Sequence, residues 1–253
     1  MKKSFVPRLI IGIAALLAGG AFAPTSGLTA DPQSRPLAPA EMPPPAPAAD
    51  TLTRIAFTTG TTSVAVSGSL ASGASQSYVL WAGWNQVMIV QATSAGSKIY
   101  LEISNRATGS FLVRASGAQT SWQGWLPRTG DYIVKVYNGG GSAENYSLQV
   151  TIPARIQFAK GAYSKFVFGR GSAAQTISYV LWARANQTMT ATITSPAGTV
   201  YLAIRGFSGG QTLVASSASQ TTWTGTLPQS QEYIIDAVQG GTWVDFTLTV
   251  KIV

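Results

Sequence analysis

Short apolar runs separated by glycine, asparagine and serine recur from about residue 54 to the end of the chain. The last run, 245–252, alternates between polar and apolar residues, a period of two that is typical of a strand with one buried and one hydrated face. The runs 86–93, 98–104 and 131–137 are rich in β-branched and aromatic residues. These patterns predict seven or eight short strands in each unit of about 100 residues.

An internal duplication accounts for most of the chain. Sliding the sequence by 101 residues aligns 54–144 with 155–245 without a gap and gives 35 identities in 91 positions. The matching blocks include SYVLWA at 77–82 and 178–183, and WxGxLP at 122–127 and 223–228. Identity at one fixed offset indicates a tandem repeat. The sequence therefore predicts an all-β protein with two tandem antiparallel β-sandwich (jelly-roll-like) domains, 54–153 and 154–253, joined at Pro153 and Ala154.

The first 53 residues lack this pattern. Lys2, Lys3 and Arg8 precede a short apolar run and then small residues, which predicts a signal peptide at 1–23 with a cut between residues 21 and 30. An uncleaved N-terminal anchor is the alternative. Residues 24–53 are rich in proline and alanine and predict a disordered linker. We therefore expect a secreted, periplasmic or cell-surface protein, with no membrane span after cleavage of the signal.

Composition excludes most catalytic chemistry. The chain has no cysteine and no histidine, which removes disulfides, thiolate zinc sites and histidine-dependent nucleophile systems. The few carboxylates show neither a glycosidase pair nor the spacing of a calcium loop. The net charge of +8 is spread too thinly for a nucleic-acid-binding stripe. We expect no enzyme activity, no catalytic residue, no cofactor, no metal and no nucleic-acid partner.

The shared blocks resemble a known family. SYVLWA, WxGxLP and the (D/E)YI segments at 131–133 and 232–234 resemble bacterial pre-peptidase C-terminal (PPC)-type β-sandwich domains, and are similar to the related secreted inhibitor of g-type lysozyme. The resemblance covers 54–253 and implies a β-sandwich in each repeat. It also implies an inhibitory Ser-Gly loop at Ser67 and Gly68. The second repeat has Phe168 and Gly169 there, so this implication does not extend to it.

The repeat divides the seven tryptophans into two groups. The four that occur in both repeats are predicted to lie in the cores, because a small sandwich needs large buried rings: Trp81, Trp122, Trp182 and Trp223. The other three have no counterpart and are predicted to be exposed, as ligand-binding residues: Trp84, in a predicted hairpin turn, Trp125 and Trp243. Packing between the two repeats is the alternative role for one or two of them.

Two functional hypotheses follow from these features. In the first, the protein is a non-catalytic binding protein whose duplicated modules recognise a cell-surface polysaccharide or an extracellular protein. In the second, it inhibits a lysozyme-type hydrolase through the Ser67 and Gly68 loop, although its positive charge would repel a basic lysozyme. The sequence leaves the ligand and the oligomeric state open.

Overall fold

The structure, a computed structural model, describes residues 51–171, 175–196, 199–240 and 244–253. The predicted signal peptide, residues 24–50 of the predicted linker and Trp243 lie outside the described residues. The two repeats belong to one compact unit. No helix in the described ranges is long and apolar enough to cross a membrane.

Each repeat forms nine strands within the described residues, where the sequence predicted seven or eight. In the first repeat the strands are β1 (Leu52–Arg54), β2 (Ser63–Leu70), β3 (Ser75–Ala82), β4 (Val87–Ser94), β5 (Ile99–Asn105), β6 (Phe111–Val113), β7 (Ser121–Trp125), β8 (Gly130–Asn138) and β9 (Glu144–Thr151). In the second they are β10 (Ala154–Arg155), β11 (Ser164–Gly171), β12 (Thr176–Ala183), β13 (Thr188–Thr194), β14 (Val200–Gly206), β15 (Thr212–Val214), β16 (Thr222–Thr226), β17 (Gln231–Gln239) and β18 (Val244–Ile252). A short 3-10 turn follows the sixth strand of each repeat, at Ala115–Gly117 and Ser216–Ala218.

The strands form two sheets per repeat, which confirms the predicted tandem β-sandwich. A five-stranded sheet has the order β1-β3-β8-β5-β6, and its counterpart is β10-β12-β17-β14-β15. A four-stranded sheet has the order β2-β9-β4-β7, and its counterpart is β11-β18-β13-β16. All pairings are antiparallel except the short first strand of each repeat, which runs parallel to β3 or β12. Strand β1 begins at Leu52, so the first sandwich starts two residues before the predicted boundary.

The core of each repeat lies between its two sheets. In β3, Tyr78, Leu80 and Ala82 point inward and belong to the core of the first repeat. The WxGxLP block contributes Leu126, which is buried, and Trp122, which packs against the same core. A Cβ at Gly124 would overlap the Trp122 ring, so this tryptophan requires glycine two residues later. The second repeat has the same arrangement around Trp223, Gly225 and Leu227.

The segment after SYVLWA is a turn between sheets. Strand β3 belongs to the five-stranded sheet and β4 to the four-stranded sheet, so the hairpin predicted around Trp84 is wrong. Asn85 takes a positive φ of 61°, a conformation that asparagine tolerates better than most residues. The Gly83 N–H donates to Gln86 Oε1 at 2.6 Å. The backbone conformation of Asn85 and the hydrogen bond to Gln86 explain why Asn and Gln recur together in both repeats.

The repeats pack through unlike faces. Val87 and Ile89, on the outer face of the four-stranded sheet of the first repeat, form a cluster with Val180, Phe207 and Ile234 of the second repeat. Strands β12 and β17 carry Val180 and Ile234, so the covered surface is the outer face of the second five-stranded sheet. On the equivalent face of the first repeat, Trp81 is 60% exposed and Ile133 is half-buried, whereas Ile234 of the second repeat is fully buried. The candidate site lies on this more exposed face of the first repeat.

Candidate functional site

Trp81 and Trp182 are exposed, at 60% and 53%, so their predicted placement in the core is wrong. Each occupies the same position of its strand, one residue after an inward leucine and one before an inward alanine. Side chains alternate along a strand, so both rings must point outward. The structure thus reveals one outward tryptophan at the same place in both repeats.

A carboxylate and an arginine accompany Trp81. Strand pairing sets Asp131 of β8 directly opposite Trp81 of β3. Arg54 Nη2 donates to Asp131 Oδ2 at 2.8 Å, and Arg106 Nη1 donates to the same oxygen at 3.3 Å. The Arg54 guanidinium holds the pKa of the Asp131 carboxyl below its usual range, assisted by Arg106 and opposed by partial burial. Asp131 is therefore an ionised acceptor beside an open aromatic ring.

The second repeat has the same three kinds of group in a drier setting, with glutamate in place of aspartate. Glu232 lies opposite Trp182, and Arg155 Nη1 donates to Glu232 Oε1 at 3.0 Å. The Glu232 side chain is only 5% exposed, against 23% for Asp131. Burial raises the pKa of the Glu232 carboxyl despite the opposing effect of Arg155. Its Oε2 atom is buried without a hydrogen-bond partner among the described residues.

Trp125 of the first repeat causes part of this difference. Its ring meets Phe207 of the second repeat edge-on at 5.7 Å, and the Arg155 guanidinium lies 5.3 Å from the ring centre. Beside it, Gln123 Nε2 donates to the Phe207 carbonyl at 2.6 Å. Trp125 is 38% exposed, as predicted, and it also contacts the second repeat, which is the packing role that the sequence left open as the alternative; ligand binding by it stays a prediction.

Trp84 lies in the turn that follows Trp81 and is 68% exposed. Its backbone N–H donates to Thr129 Oγ1 at 2.8 Å, which fixes the turn against the β7–β8 connection. Its ring makes no aromatic or cation–π contact with another described residue. Of the two unshared tryptophans that the structure describes, Trp84 is the more exposed, and ligand binding by it stays a prediction.

Ser67 and Gly68 lie within strand β2 and pair with Ser147 and Tyr146 of β9, so the predicted loop is wrong. The two residues line a shallow hollow at one end of the four-stranded sheet. A Cβ at Gly68 would lie 2.8 Å from the Tyr146 hydroxyl, which explains the glycine. That hydroxyl lies 2.5 Å from the Tyr78 hydroxyl, and burial raises the pKa of Tyr146. Glycine here serves the packing of a buried tyrosine pair.

One aromatic surface was missed by the sequence reasoning. Tyr163, Phe166 and Phe168 are exposed on or beside edge strand β11, and the two phenylalanine rings lie 5.5 Å apart. Their counterparts at the 101-residue offset are Thr62, Ala65 and Ser67. The signal was available, because the comparison of repeats that separated the tryptophans applies equally to phenylalanine and tyrosine.

The groups around Trp81 suit binding. An exposed ring offers an apolar surface for stacking, while a carboxylate and a guanidinium offer charged hydrogen-bonding groups. Asp131 is held by two arginines, which favours a fixed ionised acceptor over a group that exchanges protons. Within the described ranges no three acidic side chains lie close enough together to hold a metal ion.

Comparison with known proteins gives limited matches. No family model and no curated protein matches the sequence. A periplasmic inhibitor of g-type lysozyme from Aeromonas hydrophila is similar at 30% identity, with 40% of this chain and 96% of that chain covered and a TM-score of 0.34. The inhibitor of the same type from Salmonella Typhimurium is similar at 18% identity over 40% of this chain and 96% of its own, with a TM-score of 0.33. A mutant of the Escherichia coli inhibitor is similar at 15% identity over 41% and 99%, with a TM-score of 0.32.

Proposed function

We propose that the protein is an exported, non-catalytic binding protein that recognises a cell-envelope polysaccharide through the Trp81 site of its first repeat. The observation that carries this proposal is the position of Trp81, which is 60% exposed and lies directly opposite the Asp131–Arg54 pair. Sugar rings present an apolar face and a rim of hydroxyl groups. Trp81 would stack on the face, while Asp131 accepts and Arg54 donates hydrogen bonds at the rim.

The two repeats contribute unequally in this proposal. The equivalent groups around Trp182 are engaged with the first repeat, because Arg155 lies against Trp125 and Glu232 is buried. A polysaccharide would therefore meet one open site and one partly covered site. The duplicated modules need not act as two equal binding sites, and the gain from two linked sites is correspondingly small.

Matched alanine variants test this function. Wild-type protein is titrated calorimetrically with soluble polysaccharides from bacterial envelopes, and the same titration is repeated with Trp81→Ala and Trp182→Ala. Trp81→Ala should weaken binding at least about tenfold, because stacking area is lost at the open site, whereas Trp182→Ala should change it less than about threefold. Both variants should keep the melting temperature. Binding by Trp81→Ala that equals wild type would refute the site.

A second function, inhibition of a lysozyme-type hydrolase, is favoured by the sequence resemblance and by the hollow at Ser67 and Gly68. The edge strand β2 and this hollow would dock at the rim of the active cleft. The test adds the protein to a g-type lysozyme acting on cell-wall suspensions. Inhibition that is lost in Ser67→Phe, which copies Phe168 of the second repeat, would support this function. No inhibition by wild type would exclude it.

A further inference from the structure

A polar cleft separates the two repeats beside their apolar contact. It encloses about 210 Å³ and is lined from the first repeat by residues that include Gln91 and Gln149, and from the second by Ser178, Arg205 and Asp236. Nearly all of its lining side chains are polar, whereas Val87, Val180, Phe207 and Ile234 form the neighbouring contact. The repeats therefore meet through an apolar patch and through hydrogen bonds of cleft residues, since the Ser178 N–H donates to Thr62 Oγ1 at 2.7 Å and Ser63 Oγ donates to the Thr176 carbonyl at 3.4 Å, and they leave a polar space beside these contacts.

Asp236 and Arg205 line this space, but they do not form a hydrogen bond with each other. Asp236 Oδ1 accepts from Ser178 Oγ at 2.6 Å, but its Oδ2 lies 4.0 Å from Arg205 Nε, too far for a hydrogen bond. Their side chains are 17% and 31% exposed. An ion pair held at this distance leaves hydrogen-bonding capacity on both partners, and leaving that capacity unused in a partly dry space costs free energy.

The first repeat contributes amide groups at the exposed side of the cleft. Gln91 and Gln149 lie opposite each other on β4 and β9, and both are exposed, so water satisfies their amides until a ligand replaces it. Each amide offers an acceptor oxygen and two donor hydrogens. Carboxylate, guanidinium and amide groups thus converge on one space from both repeats, and together they supply donors and acceptors in similar numbers.

The fold does not require these charges. At the same strand positions the first repeat has Ser104 in place of Arg205 and Lys135 in place of Asp236. That repeat forms the same sheet with the same register, so neither Arg205 nor Asp236 is needed to build it. Charges placed in a contact surface without a structural need are candidates for ligand recognition.

The cleft has an entrance. It continues past Ser63, Gln149 and Thr176 into a second hollow of about 360 Å³, lined also by Thr58, Thr61 and Ala65. The second hollow is again lined mainly by hydroxyl and amide side chains. A ligand can therefore enter from solvent along a continuous polar surface and end beside Asp236.

We propose that this inter-repeat cleft binds one neutral sugar residue, either free or as the end of a glycan. The space exceeds the roughly 150 Å³ cavity that holds a benzene ring, so a six-membered ring with hydroxyl groups has room. Hydroxyl groups both donate and accept, which matches Asp236 Oδ2, the Arg205 guanidinium and the two amides. The Asp236–Arg205 pair has no net charge, so a charged ligand would lose hydration in the cleft without meeting an excess of opposite charge. Small-molecule sites in general occur preferentially at the interfaces between domains.

This proposal does not rest on the Trp81 site, and the experiment separates the two. Wild-type protein is titrated with glucose and N-acetylglucosamine as neutral probes, and with glucuronate and glucosamine as charged comparators. We expect saturable binding of at least one neutral sugar at one site per chain, with weaker binding of both charged comparators. Trp81→Ala should bind the neutral sugar as wild type does, even if it has lost polysaccharide binding.

Variants of residues in the cleft test whether the sugar binds there. Asp236→Asn keeps the shape but removes the carboxylate charge, and should weaken sugar binding at least about tenfold. Lys135→Gln, at the equivalent position on the open face of the first repeat, should leave it unchanged. Gln149→Ala, on the exposed side of the cleft, should also weaken sugar binding, and this result does not depend on whether Asp236→Asn folds. Absence of binding by all four probes, or wild-type affinity in Gln149→Ala together with Asp236→Asn, would show that the cleft holds water alone.

Discussion

The outer faces of the two five-stranded sheets carry the same groups in opposite environments. Trp81, Asp131 and Arg54 lie on the open face of the first repeat, and Trp182, Glu232 and Arg155 lie on the covered face of the second. The pKa of Asp131 is lowered by its arginine partners, whereas that of Glu232 is raised by burial although it also has an arginine. An ion pair of the same type is thus dominated by attraction on one face and by desolvation on the other.

The four-stranded sheets differ in the complementary way. The outer face of the first carries Val87, Ile89 and Trp125 against the second repeat. At the equivalent positions the second carries Thr188, Thr190 and Thr226, and these face solvent or lie partly exposed. A tandem pair joined in this manner needs one covering face and one covered face. Each repeat has therefore kept the sandwich and specialised a different outer surface.

The largest expected effect contrasts two isoleucines at one position of the fold. Ile234 is fully buried on the covered face, and Ile133 is its half-buried counterpart on the open face. Ile234→Ala should lower the free energy of unfolding by about 2 to 4 kcal/mol, since a cavity forms under the neighbouring repeat. Ile133→Ala should cost about 1 kcal/mol, because solvent already reaches the side chain. Urea unfolding of both variants measures the difference.

Equal losses for Ile234→Ala and Ile133→Ala would break the comparison. They would mean that the face of the first repeat is covered in solution, and sedimentation would then have to reveal a second copy. A loss confined to Ile234→Ala sharpens the comparison and confirms that the first repeat presents a free face.

A smaller effect is expected from exchanging the covering residues. Trp125→Thr, which copies Thr226, should cost about 1 to 3 kcal/mol of unfolding free energy, because the edge-on contact with Phe207 and the contact with Arg155 are lost. Thr226→Trp, the reverse exchange on the exposed sheet of the second repeat, should change stability by less than about 0.5 kcal/mol. Thermal unfolding of the two variants checks this. A stability loss in Thr226→Trp that matched Trp125→Thr would contradict the assignment of Trp125 to the joint.

The sandwich could be predicted from the sequence because its signals are local and occur twice. Strand alternation in β18, the turn residues Asn85 and Asn186, and the buried leucines of the WxGxLP blocks each report on neighbours within one repeat. The short edge strands β1 and β10 were harder to predict. They contain only three and two residues, too few to show a period.

The outward tryptophans were misplaced for a physical reason. SYVLWA is almost continuously apolar, so it does not show which alternate residues face the core. In β12, Val180 also points outward yet is buried, where it packs against Val87 and Ile89 of the first repeat, and its counterpart Val79 in β3 is buried too. Contact between the repeats is set by surfaces that are distant in sequence. Neither the alternation of residues along a strand nor the sequence identity between the repeats predicts which surfaces make this contact.

The smallest expected effect is a difference in pH dependence between the two carboxylates. Asp131 has a lowered pKa in the folded protein, so its contribution to stability is present above its ordinary pKa of 3.8 and is lost as pH falls through the folded value. Glu232 has a raised pKa, so its ionisation costs stability as pH rises from its ordinary pKa of 4.5 through the folded value. Asp131→Asn should therefore approach the stability of wild type as pH falls below 3.8, whereas Glu232→Gln should become more stable relative to wild type as pH rises above 4.5.

Urea unfolding of the three proteins between about pH 3 and pH 8 gives the difference in unfolding free energy between each variant and wild type. These two differences should change with pH in separate pH ranges. If Glu232→Gln showed the slope of Asp131→Asn, with its difference from wild type vanishing in acid, attraction to Arg155 would outweigh burial. The covered and open faces would then treat the same ion pair alike.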